Sequence, residues 1–107
     1  MPRELPLPPV AEADRKSIEM MRVWIAQKRL HTVVNIGHWQ ESGMNDERPA
    51  WGLLLADMVR HVANAHEKKY HRDVRETIRI IQEAFEAEIS NPTSSHPGDF
   101  QDNEQNP

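Results

Sequence analysis

Apolar residues recur along this chain with two spacings, and the change of spacing separates helical from extended segments. Over residues 74–89 they lie three or four residues apart, which is typical of an amphipathic helix. The members of this stripe are Val74, Ile78, Ile81, Phe85 and Ile89. The pattern predicts a helix over residues 72–89.

A second helix is predicted over residues 49–69. Pro49 suits the first helical position, because its missing N–H would have no helical partner there. One apolar arc follows on this helix: Trp51, Leu54, Leu55, Met58, Val62, Ala65 and His66. The turn before residue 72 is short, so we expect the two helices to form an antiparallel hairpin.

A third helix is predicted earlier, over residues 14–28, with Asp14 as the residue that caps its free amides. Ile18, Met21, Trp24 and Ile25 are spaced three or four apart along it. Residues 30–39 then read as a strand, because they are rich in β-branched and aromatic side chains.

One strand among three helices leaves backbone donors and acceptors unpaired along both of its edges. We therefore expect the strand at 30–39 to pair with the same strand of a second copy about a twofold axis, which gives a homodimer. Two alternatives remain open. The proline-rich arm could dock on one edge of the strand in a monomer, or residues 51–55 could form a strand instead of a helix start.

The two ends of the chain differ from its middle. Residues 1–13 contain four of the eight prolines and predict an extended arm. Residues 90–107 contain helix breakers and one large apolar side chain, so they predict a disordered acidic tail. Residues 14–89 are left as a single globular domain. The net charge of −4 is mostly carried by the tail.

Composition excludes several classes of function. The chain has no Cys, so disulfides and Cys-ligated metals are excluded. It has no apolar run long enough for a membrane span, and its acidic balance argues against nucleic-acid binding. Because the N-terminus lacks the pattern of a secretion signal, we expect a cytoplasmic protein.

A polar stripe on the second helix is the main candidate for chemistry. Asp57 and His61 are four residues apart and share a face, on which Asn64 also lies. A carboxylate beside an imidazole can fix its tautomer and raise its basicity. With His31 above them, these residues would form a small acid–base, metal or ligand site. The competing interpretation is a structural Asp–His pair.

Trp39 and Trp51 are a second candidate, because they flank the polar loop between strand and helix. Exposed, they would form a binding surface for a partner or ligand. Buried, they would close the core under the loop. No catalytic or cofactor motif is found, and neither a metal site nor a cofactor is predicted.

Three segments together carry a resemblance to a known family. They are ELPLPP at 4–9, LHTVVNIGHW at 30–39 and PAWGLLLADMVRHVANA at 49–65. On these segments the chain resembles the bacterial family Domain of Unknown Function 5076, over about residues 4–90. The resemblance implies a bacterial, cytoplasmic origin, and it supplies no activity, cofactor or functional residue.

The sequence thus predicts an α+β fold of three helices packed on a short antiparallel sheet that a second subunit completes. The leading functional hypothesis is a small interaction or regulatory protein that acts as a homodimer. The alternative is a small-ligand or metal-binding protein, possibly an enzyme, with its polar site on the second helix.

Overall fold

A computed structural model of the chain describes residues 1–43, 45–93 and 98–102. It contains helices and strands in one chain and confirms the α+β class. Within the described residues the elements are α1 (Pro9–Ala13), β1 (Met21–Ala26), β2 (Arg29–Ile36), α2 (His38–Glu41), α3 (Arg48–Tyr70), α4 (Val74–Ser90) and β3 (Gly98–Asp102). The chain divides into a sheet unit, residues 1–36 with 97–107, and a helical unit, residues 37–96.

The sheet unit is built on a β-hairpin. β1 and β2 pair antiparallel, with Ala26 opposite Arg29, so only Gln27 and Lys28 form the turn. Both turn residues have positive φ, 53° and 64°. This is the backbone of the tight hairpin turn that normally selects Asn-Gly.

The prediction of a helix over residues 14–28 is wrong, because most of its length forms β1 and the hairpin turn. In β1 the side chains of Met21, Val23 and Ile25 alternate with those of Arg22, Trp24 and Ala26, and Val, Trp and Ile favour strands. The apolar spacing of three and four arose from residues that belong to two faces of a strand. The turn carries no glycine or asparagine, so the usual hairpin signal is missing.

β2 is the central strand of a three-stranded sheet with the order β1-β2-β3. β3 pairs parallel with it, so the sheet is mixed and the prediction of an antiparallel sheet is corrected. The argument from an unpaired strand is also wrong, because this chain itself occupies both edges of β2. The strand ends at Ile36, before the predicted residue 39. Gly37 follows with φ 102° and begins the short helix α2.

β3 lies inside the segment predicted as a disordered tail, so that prediction does not hold for Gly98–Asp102. Residues 94–97 and 103–107 of the same segment lie outside the described residues. At the other end, the arm contains the five-residue helix α1, which starts after three of its prolines.

The two long predicted helices are confirmed in the helical unit. α3 starts with proline in its first turn, and the N–H of its C-cap residue His71 donates to the carbonyl of Glu67. The left-handed φ of His71, 59°, turns the chain so that the N–H of Arg72 donates to the carbonyl of His66 at 3.5 Å. α4 is capped at its start by Asp73, whose side chain accepts from the N–H of Glu76 at 2.9 Å. A connection this short makes the helices antiparallel neighbours, and they contact each other. Residues 51–55 lie in α3, so the alternative of a strand there is wrong.

The chain by itself buries little apolar surface. Ala63 on α3 is the one apolar residue that is fully buried among those described, while large apolar side chains on both units are exposed. No helix in the described part of the chain is both long and apolar enough to cross a bilayer. The sheet and the helices are therefore well bonded through their backbones but sparsely covered at their apolar faces.

Replacing Lys28 with glycine should stabilise the hairpin. A side chain at this left-handed φ costs about 1–2 kcal/mol, which glycine avoids. Glycine loses more chain entropy on folding, and this offsets about 0.5–1 kcal/mol of the gain. We expect Lys28→Gly to raise the free energy of unfolding by up to about 1 kcal/mol, measured by urea denaturation. Lys28→Ala removes the same charge but keeps Cβ, and should give no gain. Equal stability of the two variants would contradict the turn geometry.

Candidate functional site

The structure brings Trp39 and Trp51 together in the helical unit. Trp39 lies in α2 and Trp51 in the first turns of α3, and both are half-buried. Their ring centroids are 5.4 Å apart with planes at 78°, an edge-to-face contact. Such a contact contributes about 0.5–1.5 kcal/mol beyond the area it buries. The pair therefore joins α2 to α3 across the polar loop.

Glu47 is the charged residue at the centre of this loop. It directly precedes α3 and is only 7% exposed. The N–H of Gly37 donates to both of its carboxylate oxygens, at 3.1 and 3.2 Å. The N–H of Gln40 donates to Oε1 at 3.4 Å, and the indole Nε1–H of Trp51 donates to Oε2 at 3.1 Å.

The contact between Glu47 and Gln40 is reciprocal. The backbone N–H of Glu47 donates to Oε1 of Gln40 at 3.1 Å, while the carboxylate accepts from the backbone of Gln40. One buried carboxylate thus fixes the start of α2, the start of α3 and the ring of Trp51. We call the set Gly37, Gln40, Glu47 and Trp51, together with Trp39, the glutamate–tryptophan cluster.

The hydrogen bonds in the cluster favour the charged form of Glu47. Burial is the largest single influence on the pKa of Glu47 and raises it, but the N–H donors of Trp51, Gly37 and the backbone of α2 together outweigh burial and lower the pKa. Each oxygen already accepts from two donors. The carboxylate is therefore committed to organising the loop and is poorly placed to act as a general base.

The neighbouring Asp46 is tied to Arg48 and is exposed. The guanidinium of Arg48 donates to both of its oxygens, at 2.9 and 2.8 Å. Hydrogen bonds from the Arg48 side chain and backbone hold the pKa of Asp46 below its usual range. This surface pair contributes little to stability, because both ends are well hydrated.

The predicted polar residues on α3 lie on the surface of the helix. Asp57, His61 and Asn64 are all exposed. Asp57 forms an ion pair with Arg60, with 4.0 Å between the guanidinium nitrogen and the carboxylate oxygen. His31 belongs to the sheet unit, where its Nε2 lies 3.0 Å from the carbonyl of Ala26 and donates to it across the hairpin end.

No group of three or more His, Asp or Glu that could hold a metal ion occurs among the described residues. The ligand-binding or acid–base site built on these four residues stays a prediction, and the structure divides its members between the two units.

The sheet unit has a cleft of about 510 Å³ beside the chain that enters β1. Asn35 lines it and is buried; its N–H donates to the carbonyl of Met20 at 2.9 Å and its Nδ2 to that of Glu19 at 3.5 Å. Its Oδ1 has no hydrogen-bond partner in the described part of the chain, but it is shielded from solvent. The charges on the rim neutralise each other, because Arg22 and Glu19 form an ion pair at 3.0 Å. Asn35 thus ties the entering segment to β2.

Sequence reasoning missed Glu47 because it lies inside a segment that looks like a solvated loop. Two signals were present. Acidic residues are favoured at helix N-termini, and Glu47 directly precedes the Arg48–Pro49 helix start. It is also four residues before Trp51, so their side chains share one face of the first turn.

The chain belongs to the family Domain of unknown function (DUF5076), whose model matches residues 4–93. This confirms the resemblance seen in the sequence. A solved protein from the photosynthetic bacterium Rhodopseudomonas palustrus CGA009, named "putative pyruvate dehydrogenase", is 32% identical to it with a TM-score of 0.65; the match covers 89% of this chain and 91% of that protein. No curated protein matches the chain.

Glu47→Ala should destabilise the helical unit strongly. The substitution leaves N–H donors of Gly37, Gln40 and Trp51 without their acceptor, and a single buried donor left unpaired costs about 1–3 kcal/mol. We expect the free energy of unfolding to fall by at least that much, measured by urea denaturation. Glu83→Ala removes an exposed carboxylate paired with Arg79, and should cost no more than about 0.5 kcal/mol. Similar losses for the two variants would contradict the cluster.

Acid should weaken the cluster in a defined direction. Because the pKa of Glu47 is lowered on folding, its contribution is fully present above its unfolded pKa of about 4.3. The contribution is lost as the pH falls through the lower folded pKa. We expect the stability difference between the wild type and Glu47→Gln to narrow from pH 6 towards pH 3, measured by denaturation at each pH. A constant difference would show that the charge of Glu47 is not involved.

Proposed function

We propose that this chain is a bacterial cytoplasmic interaction protein that acts as a homodimer. The observation that supports the proposal is an apolar stripe on α3 that is left open in the single chain. The stripe consists of Leu55, Met58 and Val62, which are between 37% and 46% exposed. We call these three residues the helical stripe.

The helical stripe is distinct from the face of α3 that is already covered. Ala63 is fully buried, and Val62, one position earlier, points about 100° away from it around the helix. Leu55 and Met58 lie on the same side as Val62, because they precede it by seven and four residues. α3 therefore carries two apolar faces, of which one is covered within the helical unit and the other is open.

The free energy gained by burying the helical stripe limits how strongly it can hold two copies together. Completing the burial of each side chain contributes about 0.6–1.3 kcal/mol, from the full value of about 1.5–3 kcal/mol. Six such side chains in a dimer contribute about 4–8 kcal/mol, whereas association costs about 4–15 kcal/mol. A stable dimer therefore needs the stripe and further apolar surface as well.

Further surface is present in the single chain. Its accessible surface is 9605 Å², whereas mass scaling gives about 6,100 Å² for a folded monomer of 12.4 kDa. The difference is about 3,500 Å² per chain, or about 7,000 Å² for two chains, which is more than the roughly 2,000–5,000 Å² that obligate homodimers bury in total. Two copies therefore expose enough surface for a stable dimer.

The Rhodopseudomonas relative carries the name "putative pyruvate dehydrogenase". A shared fold does not fix a reaction, which must be argued from a site. In this chain the carboxylate of Glu47 is occupied by N–H donors, and the candidate polar residues of α3 are exposed. We therefore base the proposal on the apolar surfaces.

The oligomeric state and its dependence on the helical stripe test this proposal. We expect size-exclusion chromatography with light scattering to give twice the mass of the 12.4 kDa chain. Met58→Glu together with Val62→Glu should raise the dimer Kd about 50-fold or more, because four apolar side chains are lost from the interface.

Asn64→Glu is the matched control, since it adds a charge to an exposed polar position of the same helix. It should leave the dimer intact. A wild-type chain that stays at the monomer mass over the whole concentration range would refute the proposal.

A further inference from the structure

The two faces of the sheet differ sharply in polarity. The register places Ile25 beside Leu30 and Val34 beside both Met21 and Phe100 on one face. The opposite face carries polar and charged side chains among its members: Arg22, Trp24, His31, Val33, Asn35, Asp99 and Gln101. Only the first face is apolar enough to require a second layer of structure packed against it.

This first face is open in the single chain. Its exposed large members are Val23, Ile25, Leu30, Ile36 and Phe100. We call these five residues the apolar sheet face. Ile25 is 81% exposed, although a half-buried sheet normally places such a side chain against another layer of structure.

The apolar sheet face and the helical stripe have matching dimensions. Three strands spaced by about 4.8 Å are about 10 Å wide, which is the diameter of one helix with its side chains. The helical stripe runs over eight residues of α3, from Leu55 to Val62, which is about 10 Å at 1.5 Å per step. Strands of six and eight residues are longer than this, so the sheet can accept the stripe along its whole length.

If two copies met through the same surface, either stripe to stripe or sheet face to sheet face, only one of the two apolar surfaces of each copy would be buried. If two helical stripes met, both apolar sheet faces would stay exposed, and a contact between two sheet faces would leave both stripes exposed. A contact of the stripe of each copy with the sheet of the other buries all four surfaces. It is also closed by a twofold axis, so it forms a dimer and not a chain of copies.

We propose that the apolar sheet face of each copy is covered by the helical stripe of a second copy. The inference rests on the proposed homodimer and names the surfaces that meet in it. The apolar sheet face supplies the further apolar surface that the dimer needs, because burial of the helical stripe alone does not offset the cost of association. The dimer is then an exchange of layers: each sheet obtains its second layer from the partner.

Cross-linking between two differently tagged chains tests the pairing, because the sequence has no Cys of its own. One chain carries Ile25→Cys and the other Met58→Cys, and the mixed full-length proteins are treated with a short bis-maleimide. Both residues are exposed in the single chain, so these substitutions should not prevent folding. Val23→Cys provides a second position on the same sheet face.

We expect the mixed Ile25→Cys and Met58→Cys product to exceed severalfold the product of Arg22→Cys with Met58→Cys. Arg22 lies on the opposite face of the same strand, so it is the matched control. A dimer in which Met58→Cys links only to Met58→Cys would overturn this inference and leave the homodimer standing.

Two other results would overturn the inference together with the proposed function. A monomer mass in light scattering would overturn both. A chain carrying both cysteines that cross-links internally at the monomer mass would also overturn both, because the stripe would then cover the sheet of its own chain.

Discussion

The hydrogen bonds of β2 set the architecture of the sheet unit. A central strand must find partners for its amides and carbonyls on both edges, and this chain supplies them from opposite ends of its sequence. β1 does so through a two-residue turn, and β3 returns from beyond α4 to pair in parallel. The register that results places apolar side chains on one face and polar ones on the other.

The elements that could be predicted are those with a long, single period. α4 was recognised because its stripe repeats over four turns, and α3 because proline marks its start. β1 was mistaken for a helix because Ile18, Met21, Trp24 and Ile25 happen to follow a helical spacing, while the strand they enter is only six residues long. β3 lies where Gly98 and a single large apolar residue gave no strand signal, and only its pairing with β2 defines it.

The candidate site shows the same limit at the level of side chains. The sequence identified Trp39 and Trp51 but not the residue that joins them. Glu47 acquires its role from three donors that lie seven to ten residues before it and four residues after it, and no local pattern records such a convergence. The spacing of Asp57, His61 and Asn64 puts them on one face of α3. A binding site on that face would also need side chains from other elements, and spacing along one helix cannot predict those.

In the sheet and in the helical hairpin the backbone groups are hydrogen-bonded, but each unit leaves one apolar face exposed. Backbone hydrogen bonds fix which residues share a face, but they contribute little net free energy, so stability must come from covering those faces. The helical stripe and the apolar sheet face are the two exposed apolar surfaces on which the proposed dimer rests. In the proposed dimer a second copy of the same sequence supplies both a helical stripe and an apolar sheet face, so each copy covers what the other leaves open.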